Sequence, residues 1–477
     1  MRIYVISNLG DDANPGTSLQ PAKTLAWLRR QSLENGDAIV LQGGDTFDGT
    51  GLPGDSQHLL EVFGRQGITI TSSSNAPWRL DARERLGIVV NGPGHTTIEN
   101  GIILGTSASL TMNGRNMQCG IHVANYGNGY EGPAENVLLK GLDISGFALA
   151  GLFVGGSGHI FKSVTVEGGK LHRNANGIHT SGGILPGGRR TLSDLRLLGV
   201  DASDNDSDAN GSQAGFGASL NGIEDVTVTH GHFNRNGCFS RVGGHAGLMF
   251  NFCSSFILAH SELSGNGYGP EMMDGQGVVA HNSFDGEIYD NDLNNNDLGA
   301  IGVLPGYDVD ENGNYLWDTP CERIVIRGNR MRGNIVSLAL CGLTSDITFD
   351  DNRIVATWRD TQTAGIDITN HRGSLCRFRR NRIEADEITT LLQTVGSRGL
   401  RGVTFGTRED ANTWTAPHPT FVYGPNQYVD TLTELIRAVQ AEPINAGLRR
   451  AIYADNGHIA IRRHNGRTNL VAREAAR

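Results

Sequence analysis

The stretch AGLMFNFCSSFILAHSELSGNGYGPEMMDGQGVVAHNSFDGEIYDNDLNNND, residues 246–297, states one pattern twice. AGLMFNF (246–252) leads into FILAHSELSGNG (256–267), and QGVVAHN (276–282) leads into GEIYDNDLNNND (286–297). Each half is a Gly-led apolar run, a second apolar run and an Asn-containing turn. Outward from here the Gly-centred phrase returns as AGLFVGG (150–156), NGIHTSG (176–182) and FGASLNG (216–222), with weaker copies LGAIGVL (298–304) and AGIDITN (364–370). Gly217, Gly247 and Gly277 are spaced 30 residues apart.

The intervening segments DVTVTHGHFNRNG (225–237) and RIVIRGNRMRGN (323–334) repeat the second run and its turn, and place Asn236, Asn266, Asn296 and Asn334 at matching points. Stacked Asn side chains bond to one another between successive strands. The alternation Val226/Val228, Ile257/Ala259 and Ile324/Ile326 has the period of a strand and not of a helix. Strand, turn, strand, turn, repeated every ~22–35 residues, is the pattern of a solenoid of parallel strands.

Composition removes the competing classes. Among 477 residues, 66 are Gly but only 14 are Pro, which fits neither collagen nor a Pro-rich disordered chain. The hydrophobic fraction is 38%, mean hydropathy is −0.27, and no apolar run approaches the ~20 residues of a membrane span. A net charge of −10 argues against nucleic acid as the partner. The six cysteines form no CxxC pair and hence no structural zinc motif, and they read as small buried fillers, with disulfides left open. The opening MRIYVISNLGDD lacks a basic segment followed by an apolar stretch, so no signal peptide is read there.

Over roughly residues 37–405 this repeat, with its Asn ladder, resembles the right-handed parallel β-helix, or pectate-lyase-like, superfamily. The expected fold is therefore an all-β, right-handed parallel β-helix solenoid, with an N-terminal strand and helix cap (1–36) and a C-terminal capping or assembly segment (406–477). A solenoid exposes strand edges at both tips and needs such covers. Residues 22–35 read as a short helix closed by Gly36, with Leu25, Trp27 and Leu28 plugging the first coil. Near the other end, 431–441 reads as an amphipathic helix and 458–472 as two strands around Asn465-Gly466. The last 29 residues carry seven Arg against Asp455 and Glu474, a solvated face or a docking face.

Taking each repeat's Gly as position zero, the apolar +1 and +3 residues point into the coil. Positions +2 and +4 then face outward, which aligns Asn221, Asn251 and His281 as a polar row, with His179 one coil earlier and one position across. Such a row suits the hydroxyls and carboxylates of an extended sugar chain. Two loops interrupt these coils. CFSRVGGHA (238–246) brings Arg241 and His245 toward the face, and YGPEMMDGQ (268–276) brings Glu271 and Asp274. The resemblance adds that superfamily members often open this strand with a DGxG-like phrase, here Asp274-Gly275-Gln276-Gly277, which also serves as turn chemistry.

These residues permit two mechanisms. In a glycoside hydrolase, Glu271 and Asp274 divide acid and base or nucleophile roles. In a polysaccharide lyase or a uronan C5-epimerase, His281 or His179 removes the proton α to a carboxylate while Arg241 or a cation stabilises the developing charge. Pectate-lyase-like enzymes commonly use an Arg or Lys base with Ca²⁺, and no matching acidic cluster with an Arg stands on one face here. No cofactor is required. A structural Ca²⁺ site, or alternatively a plain acidic turn, is read at Asp308, Asp310, Asn312 and Asp318, whose DxDxNG opening resembles a calcium loop lacking its terminal Glu. The expected function is binding and cleavage of an extracellular polysaccharide, in an extracellular or virion-associated setting. The alternative is a non-catalytic adhesin or tail component. A tailspike-like identity would imply a homotrimer.

Overall fold

A computed structural model describes the chain apart from residues 107–117, 125–133, 156–159, 184–189, 207–214, 239–244, 268–274, 306–307, 310–314, 317–319, 358–363, 370–374, 386–389, 396–399, 401, 407–408, 417–419, 424–426, 430–433, 436–458, 465–466 and 473–477. The described residues are almost entirely strands in long parallel sheets, and the fold is the parallel β-helix solenoid that the repeat predicts. The chain divides into two compact units, Met1–His245 with Gly269–Glu271, and Ala246–Tyr268 with Met272–Arg477.

In the first unit a long-strand sheet runs from Ile3–Ile6 to Ile223–Thr229, a Gly-strand sheet from His58–Phe63 to Phe216–Asn221, and a short-strand sheet from Thr46–Phe47 to Lys170–His172. The second unit repeats the arrangement. Its long strands run from Ser254–Ala259 to Val403–Thr404, its Gly strands from Ala246–Asn251 to Thr420–Tyr423, and its short strands from Asp292–Asn294 to Thr413–Ala416. Alternate residues of each strand fill the interior, as in Leu248, Val278, Ile301, Leu338 and Ile366, all fully buried and stacked in register. Each coil therefore buries an apolar layer that its neighbours complete.

The recurring Gly sits where the chain turns into the Gly-strand sheet. A Cβ on Gly277 would lie 2.8 Å from the Ala300 carbonyl, 2.9 Å from Asn296 Nδ2 and 3.0 Å from Leu293. Position zero thus points inward, as +1 does, and only a small residue fits there beside the Asn corner. Ala300 and Ser337 occupy the same place in later coils.

The ladder read at Asn266, Asn296 and Asn334 is present in the second unit. The Asn296 N–H and Nδ2 both donate to Asn334 Oδ1 (2.9 and 3.0 Å), and Nδ2 also donates to the Leu263 carbonyl (2.9 Å). A second, longer ladder, absent from the sequence reading, runs through Asn291, Asn329, Asn352, Asn381 and Asn412 with the same geometry. In the first unit Asn174 donates to Asn205, and Asn205 to Asn236. These buried amides satisfy carbonyls at corners where the sheet hydrogen bonds lapse.

The ends are covered. The helix is shorter than predicted, Leu25–Arg29, because its start is fixed by Thr24, whose Oγ1 accepts the Trp27 N–H (3.1 Å), and the chain must return to Asp37 beside Arg2. Leu25, Trp27 and Leu28 are buried as expected. The sheet itself begins at Ile3, which pairs with Ala38, so the N-terminal segment already supplies a rung. At the other end Ile459–His464 and Arg467–Ala472 form the expected antiparallel hairpin, which pairs with Thr413–Ala416 and closes that edge. Of the helix read at 431–441, Glu434 and Leu435 are helical, and the rest lies outside the described residues. All six cysteines are free thiols, and Cys119, Cys253, Cys321 and Cys376 are fully buried. Among the described residues no helix is long and apolar enough to cross a membrane.

Candidate functional site

The outer face of the second unit's Gly-strand sheet is set by strand register. Asn251 pairs with His281, and Met249 with Val279. Asn251 and His281 are each half-buried at the end of their strands, whereas Val279 is 3% exposed although it faces outward. The two +4 residues thus stand side by side, about one strand spacing (~4.8 Å) apart, at the rim of a covered apolar patch. Among the described residues the His281 ring makes no hydrogen bond, and burial pushes its pKa down to about 4, leaving the imidazole neutral at pH 7. Asn251, its register partner, carries a side-chain amide on the neighbouring strand.

Sequence reasoning missed one column of this face. Because position zero turns inward, the residue before it turns outward: Val336 and Ala364 pack with Ala339, a +2 residue. Gln276, at the same place, therefore flanks Val279, and its Cγ lies 3.9 Å from where a Gly302 Cβ would be. The signal was available in the inward-pointing Gly, which breaks strict alternation at the strand's first step.

In the first unit His122, Phe153, His179 and Ser219 stand in register on the outward +2 column. The rings of His122 and Phe153 are 4.8 Å apart, and those of Phe153 and His179 5.6 Å apart and nearly parallel. His122 Nε2 lies 3.1 Å from the Gly155 carbonyl. His179 Nδ1 is buried without a hydrogen-bond partner, and burial pushes this pKa down to about 4 as well. Burial also lowers His122, more than its bond to Gly155 offsets.

Two expected contacts take other roles. Asn221 is at its outward position, but its Nδ2 donates to the Thr180 carbonyl (2.9 Å) and to Ser219 Oγ (3.1 Å), tying the strand end to its neighbour. His245, read as carried toward the face on a loop, is instead 4% exposed and packed where Cβ atoms on Gly215 and Gly237 would strike it. The small residues at that corner leave room for an inward imidazole, and burial of its ring wins over loop exposure. Arg241, Glu271, Asp274, Asp310, Asn312 and Asp318 lie outside the described residues. Asp308 begins a two-residue strand, Asp308–Val309, paired antiparallel with Tyr315–Leu316. Among the described residues no three His, Cys, Asp or Glu side chains gather as a metal site.

No protein-family model and no curated relative matches the sequence. Among solved structures, the GH136 lacto-N-biosidase from Eubacterium ramulus is similar, with a TM-score of 0.56 at 15% identity. The match covers 76% of this chain and 65% of that one, so the chain spans about two thirds of its length. The Dettilon tailspike protein matches with a TM-score of 0.46 at 13% identity, over 81% of this chain and 62% of that one. A pectate lyase matches with a TM-score of 0.40 at 13% identity, over 80% of this chain and 79% of that one. At such identities the likeness is one of fold alone, that of a parallel β-helix.

Proposed function

We propose that this chain binds and cleaves a polysaccharide lying along the Gly-strand face of the second unit, with His281 as the general base of a lyase reaction on a uronic acid. The observation that carries the reading is His281 itself: an outward imidazole beside Asn251, held neutral by burial and free of hydrogen bonds among the described residues. A neutral ring nitrogen can take the proton α to the sugar carboxylate. The C–H electrons form the new double bond, the glycosidic C–O bond breaks, and the imidazolium returns the proton to the departing oxygen. A bound carboxylate next to the ring raises its pKa, so the base strengthens when substrate arrives. Asn251 and Gln276 would hold sugar hydroxyls, and Arg241 would neutralise the developing enolate.

The fold likeness to polysaccharide-acting proteins supports a glycan substrate as a class, and an extracellular or virion-borne setting suits one. The test is incubation with alginate, polygalacturonate and neutral glycans, following ultraviolet absorbance of unsaturated uronides and new reducing ends. Unsaturated product, lost in His281→Ala while binding persists, is expected. The acid limb of kcat/KM should fall near the free-enzyme pKa of about 4, and that of kcat at higher pH. Reducing ends without unsaturation, abolished in Glu271→Gln or Asp274→Asn, would replace this assignment with hydrolysis. Binding without turnover of any glycan would favour the adhesin reading.

A further inference from the structure

On a different wall of the second unit, the short-strand sheet carries a column whose charge changes sign along its length. Glu262, Asp292, Arg330, Arg353, Arg382 and Thr413 are register partners on successive strands. Their intervening neighbours Leu293, Met331, Ile354, Ile383 and Trp414 are buried, so the column faces outward. The three Arg side chains are 70%, 57% and 63% exposed.

Like charges directly opposite on neighbouring strands repel. Among the described residues, few counter-charges reach these side chains. Arg330 is held by Asp292 in a two-pronged bond (2.6 and 2.9 Å). Arg353 and Arg382 share one carboxylate, Glu384. Arg332, beside Arg330 on the same strand face, makes no ion pair among the described residues. Among the described residues these four guanidinium groups thus make ion pairs with two carboxylates, Asp292 and Glu384, in a chain whose net charge is −10.

We propose that this strip is a binding site for a linear acidic polysaccharide, separate from the Gly-strand face. The sheet spaces the three in-register Arg backbones about 4.8 Å apart. That is close to the length of one sugar residue in an extended chain, so successive uronate carboxylates can each meet one planar two-pronged donor. An acidic glycan is favoured over nucleic acid because its carboxylates can recur at the spacing of the strands, whereas the phosphates of a duplex strand recur every ~3.4 Å along the axis. The strip would keep a polymer on the protein between cleavage events, and its existence does not depend on the role of His281.

The experiment is affinity electrophoresis of the full chain in gels containing alginate or polygalacturonate, with dextran and duplex DNA as comparison polymers. Retardation by the uronans alone is expected. It should weaken about tenfold in Arg330→Gln/Arg353→Gln/Arg382→Gln, since each exposed ionic contact contributes modestly, and should fall as salt is raised. Unchanged melting temperature and unchanged turnover of short oligosaccharides would mark the loss as one of polymer retention. Should the triple variant misfold, Arg332→Gln, which removes no ion pair of the described residues, is expected to weaken retention by a smaller factor. Uronan retardation identical in the Arg variants, or DNA retarded as strongly as the uronans, would overturn the proposal.

Discussion

His179 and His281 hold imidazoles where a proton is poorly solvated, and this couples folding to acidity. Their folded pKa values of about 4 lie below the ordinary value near 6.5. Between these limits the unfolded chain takes up protons that the folded chain refuses, so stability is complete above pH ~6.5 and is lost as pH falls toward 4. The melting temperature should drop across that window. His179→Phe, which keeps a ring against Phe153, should flatten the drop, and an unchanged profile would show that His179 does not titrate as its burial implies. At this scale the sequence was partly readable. The offset from Gly277 places His281 outward, but the same offset says nothing of what Asn221 donates to, because its partners Thr180 and Ser219 are fixed by backbone approach. His245 was misjudged because loop polarity does not reveal a cavity left by glycines.

Turns and corners follow the same logic at the level of elements. The period of Gly and Asn made the coils legible, since both residues answer local backbone needs that recur every turn. The longer ladder is hidden in phrases such as RGNRMRGN (327–334), where two Asn stand five residues apart and the repeat alone does not show that both build ladders. Asn329 donates to the Ile288 carbonyl (2.8 Å) and to Asn352 Oδ1 (3.0 Å) and accepts from Asn291. Asn329→Ala leaves several buried groups unpaired at about 1–3 kcal/mol each, so urea unfolding should show a loss of at least ~2 kcal/mol. Ser337 makes the opposite case. Its hydroxyl is fully buried without a hydrogen-bond partner at a corner where Ala300 fits in the preceding coil. Ser337→Ala is therefore expected to stabilise by up to ~1 kcal/mol, and a loss of stability would mean the hydroxyl is satisfied in solution.

For the molecule as a whole, the hairpin Ile459–His464/Arg467–Ala472 matters because it pairs with the edge of Thr413–Ala416 that faces away from Arg382–Ala385 and has no other strand partner among the described residues. Deleting residues 459–477 should leave far-ultraviolet circular dichroism nearly unchanged while light scattering reports self-association through the open edge. A monodisperse truncated protein would show that the edge is protected by other means. The sequence announced a cover here through its Asn-Gly turn but could not say which sheet it would complete, because antiparallel docking leaves no repeat to read. The buried thiols, none of them in a disulfide, carry a further consequence. Burial raises Cys321 and Cys376 to about 12 and Cys119 still further, so none presents a thiolate to an alkylating reagent while its coil stays closed. Cys119 sits in one unit and Cys321 and Cys376 in the other, so pulsed labelling with peptide mapping would time the opening of each separately. The chain has, in effect, built-in stopwatches for its own unravelling.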